Sequence, residues 1–305
     1  MKKIMKIIGI VLLCIIALIV IFVICASLKP SVPKNYTETV KTGGEIEAKY
    51  LKNGSHEVEY FEQGTMQNFK KYEVWYPADM KNPDNLYPVI VVSNGTGVKA
   101  SKCKAMFEHF ASWGFIIIGT EEEYSWNGFS ADMCLNFLLK CNDDSESIFY
   151  HKIDTDNIGS VGHSQGGVGV FNSVTDIKHA AMFKCAVAES PTNLELANGL
   201  DWYYDISKVN VPMLMVAGTG NFDANTVIPI DKMNELYDKL TVSKAMARRS
   251  DTDHGEILYS VDGYVTAWFM WQLQGDTEAA KAFTGDSPEI MSNPLYQDQR
   301  IDMGE

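Results

Sequence analysis

The chain has 305 residues, with 26 basic and 39 acidic side chains and a formal net charge of −13 at pH 7. Three of the basic residues, Lys2, Lys3 and Lys6, precede an apolar run, so the rest of the chain carries a net charge of −16. This length suffices for one large catalytic domain, and an acidic body of this kind repels nucleic acid, which excludes a nucleic-acid-binding function.

The N-terminus predicts a membrane anchor at residues 1–28. Ile7 to Leu28 contains no charged residue, and about 20 apolar residues match the thickness of a bilayer core. The preceding lysines favour an orientation with the N-terminus inside. A cleaved signal peptide is the alternative, but its apolar core is usually only about 7–15 residues long. Both interpretations place the rest of the chain outside the cytoplasm.

The segment after the apolar run predicts a short tether at residues 29–45. Pro30 and Pro33 disfavour a helix, and Gly43-Gly44 continues the irregular stretch. Residues 46–305 then form the predicted catalytic domain.

Within this domain, short apolar runs alternate with helical patterns. Strands are predicted at residues 58–61, 72–76, 89–92, 115–118, 158–161, 185–188, 213–217 and 245–248. Helices are predicted at residues 102–113, 130–140, 168–174, 231–240 and 261–273. The pattern predicts an α/β fold with a mostly parallel central sheet and helices on both faces, and ligands bind beyond the carboxyl ends of such strands. Residues 283–305 are polar and receive no predicted element or role.

Four cysteines lie in the domain: Cys103, Cys134, Cys141 and Cys185. None belongs to a C-x-x-C pair, so a zinc site has little support. Cys134 and Cys141 fall on one predicted helix, about 10 Å apart along its axis, which is too far for a disulfide. Free thiols are therefore predicted.

The segment Gly162-His163-Ser164-Gln165-Gly166 has the G-x-S-x-G pattern, after a predicted strand and before a predicted helix. This context is typical of a nucleophile elbow, in which glycines permit a sharp turn and the serine stands above the sheet. The start of the helix favours a developing oxyanion. Ser164 is therefore the predicted nucleophile.

Serine needs a positioned base, and His254 is the candidate among six histidines. It lies in a loop after the last predicted strand, where the base arrives in the chain order serine, acid, histidine. His163 adjoins Ser164 and is predicted to be a packed or hydrogen-bonded support.

The acid that orients His254 is expected after the preceding strand. Asp223 is the only carboxylate in the loop at residues 218–223. Asp231 is the alternative, although it is expected to begin the next helix.

An oxyanion hole needs two backbone N–H groups. One is predicted to come from Gln165, the residue after the nucleophile. The other is predicted in the turn at residues 93–97, with Thr96 as the candidate donor and Gly95 as the alternative.

From about Val89 to Gly285 the chain resembles the α/β-hydrolase superfamily, in the branch of dienelactone-hydrolase-like esterases, bacterial cutinases and polyester hydrolases. The resemblance rests on residues 89–97, on residues 152–159 leading into the elbow, on the loop of Asp223 and on His254. It implies ester hydrolysis through an acyl-enzyme without a cofactor. It assigns Ser164, Asp223 and His254 to a triad, and the amides of Thr96 and Gln165 to the oxyanion hole.

The chain departs from polyester hydrolases at two positions, where Thr96 and Thr192 replace the usual aromatic residues. An alternative aromatic pocket could be lined by Tyr124, Trp126, Trp202, Tyr203 and Tyr204. The expected substrate is a small-molecule or polymeric ester. An acyltransferase, a thioesterase, a peptidase and a non-catalytic surface-binding protein with this fold remain alternatives.

Overall fold

The computed structural model describes residues 29–81 and 85–304, and these residues form a nine-stranded sheet. The strands are β1 (Val58–Gly64), β2 (Lys71–Pro77), β3 (Tyr87–Ser93), β4 (Ile116–Thr120), β5 (Ile153–His163), β6 (Phe183–Glu189), β7 (Met213–Gly218), β8 (Lys244–Arg249) and β9 (Tyr296–Asp302). Their order is β1-β2-β4-β3-β5-β6-β7-β8-β9. Strands β3 to β8 run parallel, and the outer strands β1, β2 and β9 pair antiparallel. The predicted mixed α/β fold is confirmed.

Helices cover both faces of the sheet. They are α1 (Tyr36–Thr39), α2 (Glu45–Leu51), α3 (Lys104–Ser112), α4 (Phe129–Asp143), α5 (Gln165–Ser173), α6 (Leu194–Gly199), α7 (Ile230–Lys239), α8 (His254–Ser260), α9 (Asp262–Gln274), α10 (Thr277–Ala280) and α11 (Glu289–Ser292). Alternate residues of β3 enter two separate cores. Val89 and Val91 pack in the core under α4, α5 and α7, while Ile90 and Val92 pack in the core under α3 and α9. This alternation explains why the strand is a continuous apolar run.

The six parallel strands end at one edge of the sheet, which we call the carboxyl edge. Its last strand residues are Ser93, Thr120, His163, Glu189, Gly218 and Arg249. The loops that follow these residues carry the site described below.

The segment predicted as a tether packs on the domain. Ser31 and Val32 donate their backbone N–H groups to the carbonyl of Lys102, and Val32 is buried. The Tyr36 ring is also buried, with edge contacts to His109 and Tyr259. Burial of these two apolar side chains fixes a segment whose prolines predicted only an extended chain.

The predicted membrane anchor at residues 1–28 lies outside the described residues. Among the helices at residues 29–81 and 85–304, none combines the length and the apolar character needed to cross a bilayer.

Strand β9 was not predicted from the sequence. Its segment is polar because it lies at the edge of the sheet, where side chains such as Asp298 and Arg300 pair with Arg248 and Asp238. The prediction of free thiols is confirmed, with Cys134 and Cys141 both on α4.

Candidate active site

The turn between β5 and α5 holds Ser164 in a backbone conformation that is rare for a side-chain-bearing residue, with φ of 60°. The neighbouring glycines make this turn possible. A Cβ on Gly162 would lie 2.4 Å from the carbonyl oxygen of Gly166, and one on Gly166 would lie 2.0 Å from that of Ser93. Only glycine fits at either position, and Ser164 is raised at the carboxyl edge.

Three predicted site residues meet at this point. The Oγ atom of Ser164 lies 2.9 Å from Nε2 of His254, and Nδ1 of His254 lies 2.6 Å from Oδ1 of Asp223. The carboxylate can only accept, so Nδ1 carries the proton and donates to it. In the neutral ring Nε2 is then the acceptor, and the hydroxyl of Ser164 donates to it.

The start of α8 positions His254. Asp253 caps this helix, and its side chain and that of Glu256 form a reciprocal capping box with the backbone. His254 is the first residue of the helix, so the box fixes the backbone from which its ring projects.

The carboxylate of Asp223 is fully buried and accepts three hydrogen bonds. Besides His254, Oδ2 accepts from Oγ of Ser190 at 2.6 Å and from the amide of Gly218 at 2.9 Å. Burial by itself raises the pKa of Asp223, but these donors and the nearby charge of His254 outweigh it and hold the pKa below its usual value. Asp223 is therefore kept ionised. The alternative acid, Asp231, lies in the first turn of α7.

His163 lies against His254 and supports it, with ring centroids 4.4 Å apart. Its Nε2–H donates to the backbone carbonyl of His254 at 2.7 Å. Burial, followed by the nearby charge of His254, lowers the pKa of His163 far below its usual value. A neutral ring therefore stands beside His254.

The two predicted amide donors flank Ser164. Gln165 is the first residue of α5, and Thr96 lines the same cleft as Ser164. Neither amide donates to another residue within the described part of the chain. The turn of Thr96 is held by Asn94, whose side-chain amide donates to the carbonyls of Thr120 and Glu122. The alternative donor, Gly95, lies against the carbonyl of His163.

A cleft of about 420 Å³ opens above Ser164. Among the described residues, no Asp, Glu, Lys or Arg side chain lines it. The lining residues are Gly95, Thr96, Val98, His163, Ser164, Thr192, Leu196, Leu200, Trp202, Phe222, Val227, His254 and Gly255. The cleft therefore suits an uncharged, largely apolar group.

Of the five aromatic residues considered as a pocket, Trp202 lines the cleft. Tyr124 and Tyr203 are exposed, Trp126 packs against the core, and Tyr204 is buried with its hydroxyl donating to the carbonyl of Thr192. Thr96 and Thr192 both line the cleft, so no aromatic pair faces across it at these positions.

Sequence reasoning missed several residues at the site, among them Val98 and Val227 of the cleft wall. Phe222 lies edge-on against the His254 ring, at a centroid distance of 5.2 Å, and its place next to Asp223 was an available signal. Leu196 and Leu200 are four residues apart, a helical spacing that also could have been noticed. Ser190 gave no signal, because its contact with Asp223 depends on how β6 and β7 pair.

Known proteins resemble this chain over most of its length. Residues 37–296 match the family described as PET hydrolase-like (PETase). The chain is 25% identical over 216 residues to "Cutinase 2" of Thermobifida cellulosilytica and to "Cutinase cut1" of Thermobifida fusca. Each alignment covers 67% of this chain, with 74% of the first relative and 60% of the second, so the chain spans less than two thirds of the latter.

Proposed function

Because the chain belongs to the PET hydrolase-like family, we propose that it is a serine hydrolase of carboxylic esters that works through an acyl-enzyme. Ser164 is the nucleophile, His254 the general base and Asp223 the supporting acid. The observation that carries this proposal is the continuous hydrogen-bonded series from Ser164 through His254 to Asp223.

In the first step, Nε2 of His254 takes the proton of Ser164 while Oγ attacks the ester carbonyl carbon. The contact of 2.9 Å is already within the range needed for this proton transfer. Asp223 remains ionised and stabilises the imidazolium that forms. Its lowered pKa supports this role.

The negative charge on the carbonyl oxygen is held by the amides of Thr96 and Gln165. Neither N–H group donates to another residue of the described chain, so both can donate to the oxyanion, and the N-terminal end of α5 adds a favourable field. One such donor typically contributes about 3–4 kcal/mol to stabilisation of the transition state.

The tetrahedral intermediate collapses when His254 returns its proton to the leaving alcohol. Water then enters, gives a proton to the same Nε2 atom and attacks the acyl group on Ser164. Release of the carboxylic acid restores the serine hydroxyl, so the cycle needs no cofactor.

The substrate is proposed to be an uncharged ester, either a small molecule or a segment of a polymer. The apolar lining of the cleft supports this class. The apolar run at residues 7–28 supports a membrane anchor with the catalytic domain outside the cytoplasm, and secretion after cleavage is the alternative.

The direct test is hydrolysis of a p-nitrophenyl acyl ester by the Ser164→Ala variant. Loss of the nucleophile is expected to lower kcat by at least about 10⁴-fold. Ser250→Ala, which removes an exposed hydroxyl, is the matched control and should retain activity. A fluorophosphonate should label the parent and not Ser164→Ala.

Retention of activity by Ser164→Ala would reject the nucleophile. Product analysis with competing alcohols, thioesters and peptides distinguishes the hydrolase from the acyltransferase, thioesterase and peptidase alternatives.

A further inference from the structure

The chain enters the folded domain beside the mouth of the cleft. The carbonyl of Lys102, which accepts from Ser31 and Val32, follows the cleft residues Thr96 and Val98 by only a few positions. The adjacent Ser101 donates its backbone and side-chain groups to Glu121, which directly follows β4. The entry point therefore lies at the carboxyl edge, on the same side as Ser164.

Little chain separates this entry point from the apolar run. From Leu28 to Ser31 the chain spans three residues, which reach at most about 10 Å when fully extended. The polar interface of a bilayer is about 5–8 Å deep on each side of the hydrocarbon core. An anchor that ends at Leu28 therefore holds the carboxyl edge close to the membrane surface.

Exposed apolar side chains gather at this same edge. We call them the apolar rim: Met66, Tyr124, Phe129, Leu200, Tyr203 and Phe222. Leu200 and Phe222 line the cleft, and Tyr203 follows the cleft residue Trp202.

The other members of the rim are held at the carboxyl edge by backbone and ring contacts. Tyr124 follows Glu123, whose carbonyl accepts from Gly97 in the turn of Thr96. Met66 lies in the β1–β2 turn with Phe69, which contacts Phe129 and accepts from the amide of Glu121.

The opposite edge of the sheet provides the contrast. Its exposed apolar residues, Leu86, Ile148 and Tyr150, precede β3 and β5. They lie at the far end from the point where the chain enters.

The charged residues near the rim indicate which lipid head groups it can contact. Glu122 and Asp201 lie among the rim residues, and the hydroxyl of Tyr203 donates to Asp201. Two lysines also lie there: Lys99 is paired with Glu123 at 2.8 Å, and Lys70 is exposed in the β1–β2 turn of Met66. With three carboxylates, Glu122, Glu123 and Asp201, against two lysines, the rim has no positive charge excess to attract anionic head groups and is compatible with zwitterionic ones.

We propose that the apolar rim rests on the bilayer that holds the N-terminal run, so that the cleft opens onto a zwitterionic lipid surface. This inference rests on the anchor and the ester-hydrolase activity proposed above. It adds that the catalytic domain has one fixed orientation relative to the bilayer. Aromatic and aliphatic side chains of the rim enter the interfacial region, where amphipathic rings are favoured. An ester dissolved in the membrane then has a short path to Ser164.

The test measures which edge of the full chain faces the lipid. A tryptophan is introduced at the rim by Met66→Trp, and at the opposite edge by the matched control Ile148→Trp; both sites are exposed. Each full chain is reconstituted into phosphatidylcholine vesicles, with or without bromine on the acyl chains. The fluorescence of the parent chain is subtracted. The added signal of Met66→Trp is expected to fall about twofold on brominated lipid, while that of Ile148→Trp is unchanged.

A second variant tests the short connection itself. About 20 Gly and Ser residues inserted after Pro30 would let the domain move about 25 Å from the anchor. Quenching of Met66→Trp should then decrease.

Three results would overturn the orientation: equal quenching at both positions, stronger quenching of Ile148→Trp, or failure of the chain to sediment with the vesicles. Hydrolysis of a water-soluble p-nitrophenyl ester is measured on the same samples. It reports on the proposed activity separately, because a soluble ester reaches Ser164 without the lipid.

Discussion

Asp223 lies in a pocket built to keep a carboxylate both buried and ionised. One of its oxygens accepts from His254, and the other accepts from Ser190 and Gly218. Hydrogen bonds to a charged group contribute about 1.5–3 kcal/mol each, enough to offset part of the cost of burial. Ser190 is thus a positioning residue, since it contacts the acid and not the substrate.

Removal of the Ser190 hydroxyl by Ser190→Ala should therefore lower activity without abolishing it, because Asp223 keeps its hydrogen bonds from His254 and Gly218. One of three donors to the carboxylate is lost, so the pKa of Asp223 rises and the carboxylate holds the His254 ring less firmly. The kcat is expected to decrease about tenfold, equivalent to about 1.4 kcal/mol, with KM nearly unchanged. Steady-state kinetics on a p-nitrophenyl ester measure kcat and KM separately.

Ser250→Ala is the control for this experiment, because its hydroxyl donates to Gln297 on β9 and not to Asp223. An unchanged kcat in Ser190→Ala, or an increase in KM alone, would contradict the positioning role.

Sequence pattern and chain order were sufficient to select Ser164, Asp223 and His254, which the structure places within hydrogen-bond distance of one another. A local motif marks the serine, and the order of strands marks the loops that must hold the other two. Ser190 could not be found this way, because a single serine after a strand has no distinctive pattern. Its role appears only when β6 and β7 are placed side by side.

At the scale of elements, α6 joins the cleft wall to the loop of the acid. Asn193 caps α6 by accepting from the amide of Leu196, and its own amide group donates to the carbonyls of Thr226 and Val227. These carbonyls belong to the helical turn that begins at Asp223. The same cap therefore sets the position of Leu196 and Leu200 relative to the reacting groups.

Shortening the cleft wall by Leu200→Ala should change selectivity for the acyl chain. Leu200 lines the cleft and is exposed, so truncation removes substrate contacts with little effect on folding. We expect kcat/KM for a hexanoyl ester to fall about tenfold, while that for an acetyl ester changes less than about twofold. The measurement is a series of p-nitrophenyl esters of increasing chain length.

Leu86→Ala serves as the control, since Leu86 is also exposed but lies at the opposite edge of the sheet. An equal loss for all chain lengths would indicate that Leu200 contributes to stability or to the reacting geometry, and not to an acyl pocket.

The long apolar strands were predictable because burial on both faces leaves a continuous apolar run, as in β3 and β4. Short or edge elements were not. Helix α6 has only six residues, and β9 is a polar strand paired on one side. Neither carries the periodicity on which such predictions depend.

At the scale of the whole molecule, the resemblance to the cutinase and polyester hydrolase branch of α/β hydrolases is confirmed. The packing of the segment from Ser31 to Tyr36 on the domain, however, could not be predicted from the sequence. The Tyr36 ring packs against His109 of α3, in a buried polar region that also holds Glu189 and Asp262. Two of the chain's many acidic residues, Glu189 and Asp262, are therefore buried in the core.

Asp262 makes this region sensitive to pH. It begins α9, is fully buried, and lies 3.9 Å from Nδ1 of His109. Burial raises its pKa to about 8, and burial together with Asp262 also raises the pKa of Glu189. His109 provides no compensating charge near neutral pH, because burial lowers its pKa to about 4. The folded protein therefore keeps a proton on Asp262 that the unfolded chain releases.

Replacement of this carboxyl group by an amide should stabilise the protein at alkaline pH. In the unfolded chain an aspartate has a pKa of about 3.9, so between about pH 4 and pH 8 folding retains a proton and the free energy of unfolding falls as pH rises. Asp262→Asn does not titrate. Its free energy of unfolding should be close to that of the parent near pH 4 and should exceed it increasingly above, by up to about 1.4 kcal/mol per pH unit. Urea unfolding of the full chain in nonionic detergent at about pH 5 and pH 8 measures this difference, with exposed Asp286→Asn as the control. If Asp262→Asn and the parent show the same pH slope, the buried carboxyl is ionised in the folded protein and the region holds a compensating charge.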